Sequence, residues 1–231
     1  MVSKQPSFTP PKPETPVKRR ARNDQAKQMR REHLLETART LWTQGTFSSI
    51  TMNQVAAQAN LAKGTTYLYF QSKEALLLAL LGQELEQWFD QIDGELEQTL
   101  RHTPRSLAHL IAESFQDRQN LIRLLSIQGG ILEQNVTEPA AKSFKTQLAS
   151  RATRTSILLE HALRLPANAG LELLKLINAL VIGLNQLADL SPVVATVLQD
   201  PNLAPLKVEF FPQLARTLEM VLTGMKAESQ T

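Results

Sequence analysis

Cysteine is absent from the 231-residue chain, which excludes a disulfide framework and any thiolate chemistry. No apolar run reaches the roughly 18–20 residues that a membrane span needs. The longest apolar stretches, such as 176–184, are broken by Asn178 or Gly183. The N-terminus carries charge but has neither the apolar centre nor the cleavage site of a secretory signal. Alternating β-branched runs are nearly missing, so strands are not expected. Nucleotide loops of the GxGxxG or Walker type and a GxSxG nucleophile elbow are also lacking. The four histidines, at 33, 102, 109 and 161, have no spacing that converges on a metal. His109 and Glu113 lie four residues apart and read as a surface ion pair. Together these absences leave no catalytic residue, metal or cofactor to name. They point to a soluble, cytoplasmic protein that is not an enzyme.

What is present is unevenly spread. The 42% apolar content is ordinary for a globular protein, and the length suits one two-part unit or two small domains. The net charge of +3 hides a split. Residues 1–31 hold nine Lys/Arg against Glu14 and Asp24, whereas the remaining 200 residues hold sixteen basic and twenty acidic residues. A front at +7 on a body at −4 suggests a polyanion approached from one end. The first 22 residues contain five prolines among Ser, Thr and Lys, with Val2, Phe8 and Val17 the only large apolar side chains. Such a stretch cannot bury enough surface to offset its ordering entropy. Residues 1–24 are therefore expected to be a disordered basic arm, able to track phosphates or enter a minor groove, or to act only as a solvated tail.

Helical periodicity recurs after the arm, with Pro and Gly at the seams. Thr103-Pro104, Glu138-Pro139 and Leu165-Pro166 read as helix starts, and Ser191-Pro192 as a break after Leu190. An all-α protein of about nine or ten helices follows. A first helix from about Gln28 to Thr43 places Leu34, Leu35, Ala38, Leu41 and Trp42 on one buried stripe, with Gly45 where a left-handed cap is wanted. Thr51 and Gln54 have the spacing of a capping box, and Ile50 and Val55 that of a hydrophobic staple. The short helix so begun ends near Ala59-Asn60, where Asn can take a left-handed turn. A third helix over about Ala62–Tyr69 follows at once. Two short helices across a tight turn make a helix-turn-helix. The outward positions of the third helix offer an ammonium, a hydroxyl and phenols, the groups that bind phosphates and base edges. Gly64 would let that helix approach a groove wall closely. Ser72 caps a long fourth helix, whose N-terminus with Lys73 would make a second phosphate clamp.

At this point the run from Thr46-Phe47 through Ile50-Thr51-Met52-Asn53-Gln54-Val55-Ala56 and Ala59-Asn60-Leu61-Ala62-Lys63-Gly64-Thr65-Thr66-Tyr67-Leu68-Tyr69-Phe70-Gln71-Ser72-Lys73-Glu74-Ala75-Leu76 resembles the signature of the TetR (tetracycline-repressor) family. The match covers about residues 29–80 without gaps. The resemblance implies that Lys63 and Thr65 face the major groove, and that Thr51, Tyr67, Tyr69 and Lys73 contact phosphates. Phe47, Val55, Ala56 and Phe70 would form head core. Two positions depart from the family pattern. Thr66 stands where a larger aliphatic residue is usual, so its hydroxyl must find a backbone carbonyl, and Asn60 stands where glycine is usual. Leu68 can be exposed, packed on the first helix, or touching a thymine methyl.

The resemblance divides the chain into the arm (1–24), a DNA-binding head (25–74) and a ligand-binding and dimerisation body (75–231). It implies a homodimer through the C-terminal helices, a palindromic double-stranded operator and a small-molecule effector. Candidates for the effector pocket are Trp88, Phe115, Asn178 and Asn185, the two asparagines being seven residues apart and so on one helix face. They can equally be ordinary core. The stripe of Leu214, Leu218, Val221, Leu222 and Met225 behind Phe210-Phe211-Pro212 is the candidate dimer seam, pairing with the preceding long helix and with their symmetry mates in a four-helix interface. The expected function is a repressor released from its operator by a small molecule. The rival is a helical interaction or small-molecule-binding protein with little sequence-specific DNA binding.

Overall fold

The computed structural model describes residues 16–228, with side chains from residue 23 onward. Among the described residues there are ten α-helices and no strand. The head consists of α1 (Pro16–Gln44), α2 (Met52–Gln58) and α3 (Lys63–Tyr69). The body consists of α4 (Lys73–Gln98), α5 (Pro104–Glu113), α6 (Gln119–Ile127), α7 (Glu138–Leu163), α8 (Ala169–Ala188), α9 (Pro192–Val197) and α10 (Phe210–Glu228). A π-helical turn at Gln128–Leu132 and a 3-10 turn at Glu133–Asn135 join α6 to α7.

The start of α1 corrects the arm. Residues 16–24 belong to the helix, and only 1–15 of the expected arm lie outside the described residues. Proline is tolerated in a helix's first turn, and the 17–27 run behind Pro16 has no Gly or Pro and is rich in good helix formers. Composition argued for disorder there, but propensity won. The apolar stripe of α1 lies as its spacing predicts: Leu34, Leu35, Ala38 and Trp42 are buried and Leu41 is half-buried. Gly45 is not left-handed, since no described glycine has a positive φ. A Cβ there would stand 2.6 Å from Ser49 Oγ and 3.1 Å from the Leu41 carbonyl, so crowding is what requires glycine.

In the body, α4 packs on α7 and α6, α8 packs on α6, α7 and α10, and α10 lies along α5. A continuous leucine-rich core runs from Leu76, Leu77, Leu80 and Leu81 through Leu107, Ile111, Leu121 and Leu124 to Leu173, Leu214 and Leu218. Each such side chain contributes about 1.5–3 kcal/mol by leaving water. The α4–α7 seam also holds charge. The buried Asp93 carboxylate accepts from Thr155 Oγ1 at 2.6 Å and pairs with Arg154 Nε at 3.2 Å, while Arg151 bridges Glu86 and Asp90.

Two boundaries differ from expectation. Pro166 does not start α8. Arg164 (φ 59°) ends α7 in the left-handed region, Asn168 (φ 71°) makes a second left-handed turn, and α8 begins only at Ala169. The crossing that follows is tight, because a Cβ on Gly170 would fall 2.2 Å from the Ser156 carbonyl oxygen. Ser191-Pro192 does more than break the chain: Ser191 caps α9 through Val194 N at 3.4 Å. The α10 stripe proposed as dimer seam turns inward. Leu214, Leu218 and Leu222 are buried in this chain's own core, with α10 packed chiefly on α5.

Candidate nucleic-acid interface

The head is built as its local signals dictate. Gln54 N donates to Thr51 Oγ1 at 3.2 Å, and Thr51 N to Gln54 Oε1 at 2.9 Å, which completes the capping box. Ile50 and Val55 are both buried, as a staple requires. Asn60 sits at φ 53°, and Leu61 N donates to Ala56 O at 2.9 Å to close the turn. α3 then leaves at Lys63. His33 of α1 donates from Nε2 to Ala59 O at 3.1 Å, and the Arg31 guanidinium lies 5.2 Å from the Phe70 ring centre, so α1 grips both ends of the turn-and-helix unit. Neither the His33 nor the Arg31 contact was legible in the sequence, because their partners are 26 and 39 residues away.

The face of α3 follows from Thr66, which is fully buried. Lys63 and Gly64 are exposed, Thr65 is half-buried and Tyr67 is 41% exposed, all on the surface away from the core. No atom lies within 4 Å of where a Gly64 Cβ would stand, so open space faces it. Tyr69 is half-buried against the core and borders a cleft between head and body. Phe70, Val55 and Ala56 are buried and Phe47 half-buried, as head core. Leu68 is exposed rather than packed on α1.

Three residues sit differently from expectation. The Thr66 hydroxyl finds no backbone carbonyl; its Oγ1 is buried without a hydrogen-bond partner. The Thr51 hydroxyl is engaged by its own cap, accepting from Gln54 N and donating to Gln54 Oε1 at 3.0 Å. Lys73 does not project from the α4 N-terminus. Its ammonium donates to the Phe47 carbonyl at 2.9 Å and the Ile50 carbonyl at 3.3 Å, and lies 3.8 Å from the Phe47 ring centre. It is a latch that closes the α1–α2 loop onto α4. Ser72 caps α4 as predicted, accepting from Ala75 N at 3.1 Å.

The head is fastened to the body at two further places. Arg39 of α1 pairs with the buried Glu84 of α4. One turn further on, at the C-terminal end of α1, Trp42 Nε1 donates to Asn120 O at 3.2 Å, and Asn120 Nδ2 donates to Thr43 Oγ1 at 2.8 Å. Arg123 of α6 lies 4.5 Å from the Trp42 ring centre and donates to the carbonyls of Trp42, at 2.9 Å, and Gly45. Both α4 and α6 therefore hold the head directly.

The four residues nominated for an effector pocket do not meet around one cavity. Trp88 and Phe115 are buried and stack at 5.3 Å between centroids, and Trp88 Nε1 donates to Ser114 Oγ at 2.9 Å. Asn185 is buried and donates from Nδ2 to Ser126 Oγ at 3.1 Å, whereas Asn178 on the same helix face is exposed. The α6 side chains reach Asn185 but do not cover Asn178, which seven-residue spacing alone could not reveal. An open cleft of about 1240 Å³ lies elsewhere, between α1, the α3–α4 turn, α4 and α7, bordered by Arg31, Tyr69, Gln83 and Phe144.

Comparison with known proteins is consistent with this geometry. Residues 34–80 match the family model described as bacterial regulatory proteins, tetR family, and residues 82–229 match that of the tetracyclin repressor-like C-terminal domain. The HTH-type transcriptional repressor KstR of Mycolicibacterium smegmatis is 34% identical over 73 residues, 32% of this chain and 34% of that protein. The uncharacterized HTH-type transcriptional regulator YuxN of Bacillus subtilis is 37% identical over 59 residues, 26% of this chain and 20% of that one. The alignments thus span about a third or less of the curated relatives. Over whole folds, the repressor AlkX from Dietzia sp. superposes with a TM-score of 0.54 at 20% identity, covering 85% of this chain and 97% of that one. FadR of Thermus thermophilus, solved with lauroyl-CoA, superposes with a TM-score of 0.53 at 18% identity, covering 84% and 93%.

Proposed function

Because the chain belongs to the TetR family of bacterial regulatory proteins, we propose that it is a sequence-specific DNA-binding regulator, a repressor released from its operator by a small molecule. The observation that carries this reading is the pose of α3. Thr66 is sealed beneath it, while Lys63, Gly64 and Tyr67 stand on its open side with Thr65 beside them. Lys63 and Thr65 supply donors to base edges and phosphates, and Tyr67 supplies a phenol to the backbone. Tyr69, half-buried on the cleft side of α3, and Thr51, whose hydroxyl is engaged by its own cap, take no direct part in this surface. The Lys73 ammonium, held by two carbonyls, acts through the shape of the head.

The working form is a homodimer in the cytoplasm, with two α3 helices meeting a palindromic site about one DNA turn, roughly 34–36 Å, apart. The face supporting a dimer is on α8. Its outward side carries Leu176, Ala179, Leu180, Gly183 and Leu187 at helical spacing, and Leu176, Ala179, Gly183 and Leu187 are exposed. Asn178 and Gly183 interrupt its apolar run, and on that interruption the sequence excludes a span. By length and average composition, however, this helix is apolar enough to cross a membrane, and only 22% of that stretch is buried within the chain. A second copy offers the cover that this face needs. Val193 and Val197 of α9 extend it with further exposed apolar surface.

An effector that parts the Asn185–Ser126 bond between α8 and α6 would shift α6. That shift reaches the head through Asn120, Arg123 and Trp42, and through Glu84 and Arg39 from α4. Release requires only that the effector favour the shifted state over the DNA-bound one.

Selection of bound fragments from a genomic DNA pool tests the reading. Selective binding that is weakened by Lys63→Ala and Tyr67→Phe is the expected result. Absence of sequence preference at every salt concentration would instead support a helical interaction or small-molecule-binding protein. Leu187→Glu should convert a dimer to a monomer by light scattering; an unchanged mass would remove α8 from the interface.

A further inference from the structure

Leu68 is the most exposed large apolar side chain among the described residues, at 81%. It stands two residues beyond the fully buried Thr66, and therefore about 200° around the helix from it. It also stands one turn beyond Gly64, whose missing Cβ faces open space. Gly64 and Leu68 thus form the outermost ridge of α3, flanked by Thr65 and Tyr67. A leucine here contributes nothing to the head core and exposes apolar surface to water in the unbound protein.

Resting on the reading of α3 as a recognition helix, we propose that Leu68 is a base-reading contact that seats against the C5-methyl group of a thymine in the major groove. The ridge geometry is what makes this possible. With no side chain at position 64, the N-terminal half of α3 can sink toward the groove floor, which carries Leu68 down onto base edges. An isobutyl group can neither donate nor accept a hydrogen bond. The apolar group that base pairs present in the major groove is the thymine methyl, which distinguishes thymine from the other bases. Leu68 therefore specifies thymine at one position in each half-site, while Lys63 and Thr65 read polar edges beside it.

The test uses full-length protein and the DNA that it selects from a random pool. Each thymine of a half-site is replaced in turn by deoxyuridine, which keeps every hydrogen-bonding group and removes only the methyl. Replacing that thymine in both half-sites removes two methyls and should weaken wild-type binding about fifteenfold, about fourfold for each buried methyl-sized group. Leu68→Ala should bind more weakly and show no response to that same replacement. Its thermal transition should be unchanged, since the side chain is exposed. Repeating the selection with Leu68→Gln should shift the preferred base at that position from thymine to adenine, which glutamine reads through its amide. The proposal is overturned if wild type tolerates every deoxyuridine, or if Leu68→Ala keeps the full deoxyuridine response. A wild-type protein that selects no sequence at all would remove the recognition-helix reading itself, a result distinct from either.

Discussion

Gly64→Ala separates stability from DNA recognition, because the two should move in opposite directions. Gly64 is the second residue of α3, and no atom of the protein lies within 4 Å of the position its Cβ would take. The added methyl therefore meets no steric resistance in the unbound chain. Alanine is about 0.5–1 kcal/mol better than glycine in a helix interior, since less backbone entropy is lost on folding, and this is the upper bound for a first-turn position. In a protein of this size that corresponds to a rise in Tm of about 1–4 °C. On DNA the same methyl stands on the ridge that must come closest to the groove and holds the helix away from the bases. An affinity loss on the order of tenfold, about 1.4 kcal/mol, is expected. Differential scanning fluorimetry and anisotropy titration on selected DNA read the two effects separately. A fall in Tm would refute the open space around Gly64, and unchanged DNA affinity would refute its approach to the groove.

Three other substitutions address the head and the body. Thr66→Val removes a buried hydroxyl that has no partner and should stabilise the protein by about 1 kcal/mol without changing DNA affinity; a lower Tm would mean that the hydroxyl is satisfied. Lys73→Met removes two carbonyl contacts and a ring contact, so it should cost about 1–2 kcal/mol of stability while leaving the salt dependence of DNA binding unchanged. A salt slope reduced by about 1 would restore Lys73 to a phosphate. Gly170→Ala forces a Cβ into the Ser156 backbone and should destabilise by about 2–3 kcal/mol, read as a lower midpoint in urea; a wild-type midpoint would contradict the close α7–α8 crossing.

How far each part was legible depends on how far its determinants lie along the chain. The capping box at Thr51 and Gln54, the left-handed Asn60, the Ser72 cap and the stripe from Leu34 to Trp42 act over a few residues, and the structure has them where the pattern places them. The carbonyl partners of Lys73 were not legible because Phe47 and Ile50 lie 26 and 23 residues back. Gly45 was read as a conformational requirement, yet what it meets is Ser49 and Leu41. The asparagines of α8 shared a face by spacing, but only one met a neighbouring helix.

The sequence by itself determined the helical class, the helix-turn-helix and the outward placement of Lys63, Gly64 and Tyr67, because capping, turn chemistry and 3.6-residue periodicity are local. It left Leu68 open and put the Tyr69 phenol outward, where packing half-buries it. Tertiary packing decided the rest. It turned the α10 stripe inward onto α5 and left the apolar face of α8 uncovered. It tied α1 to α6 through Arg123 and Trp42, and it sealed the Thr66 hydroxyl without a partner. An amphipathic pattern states that a face must be covered. Which element covers it depends on contacts between residues far apart in the chain, and those exist only once the helices have packed.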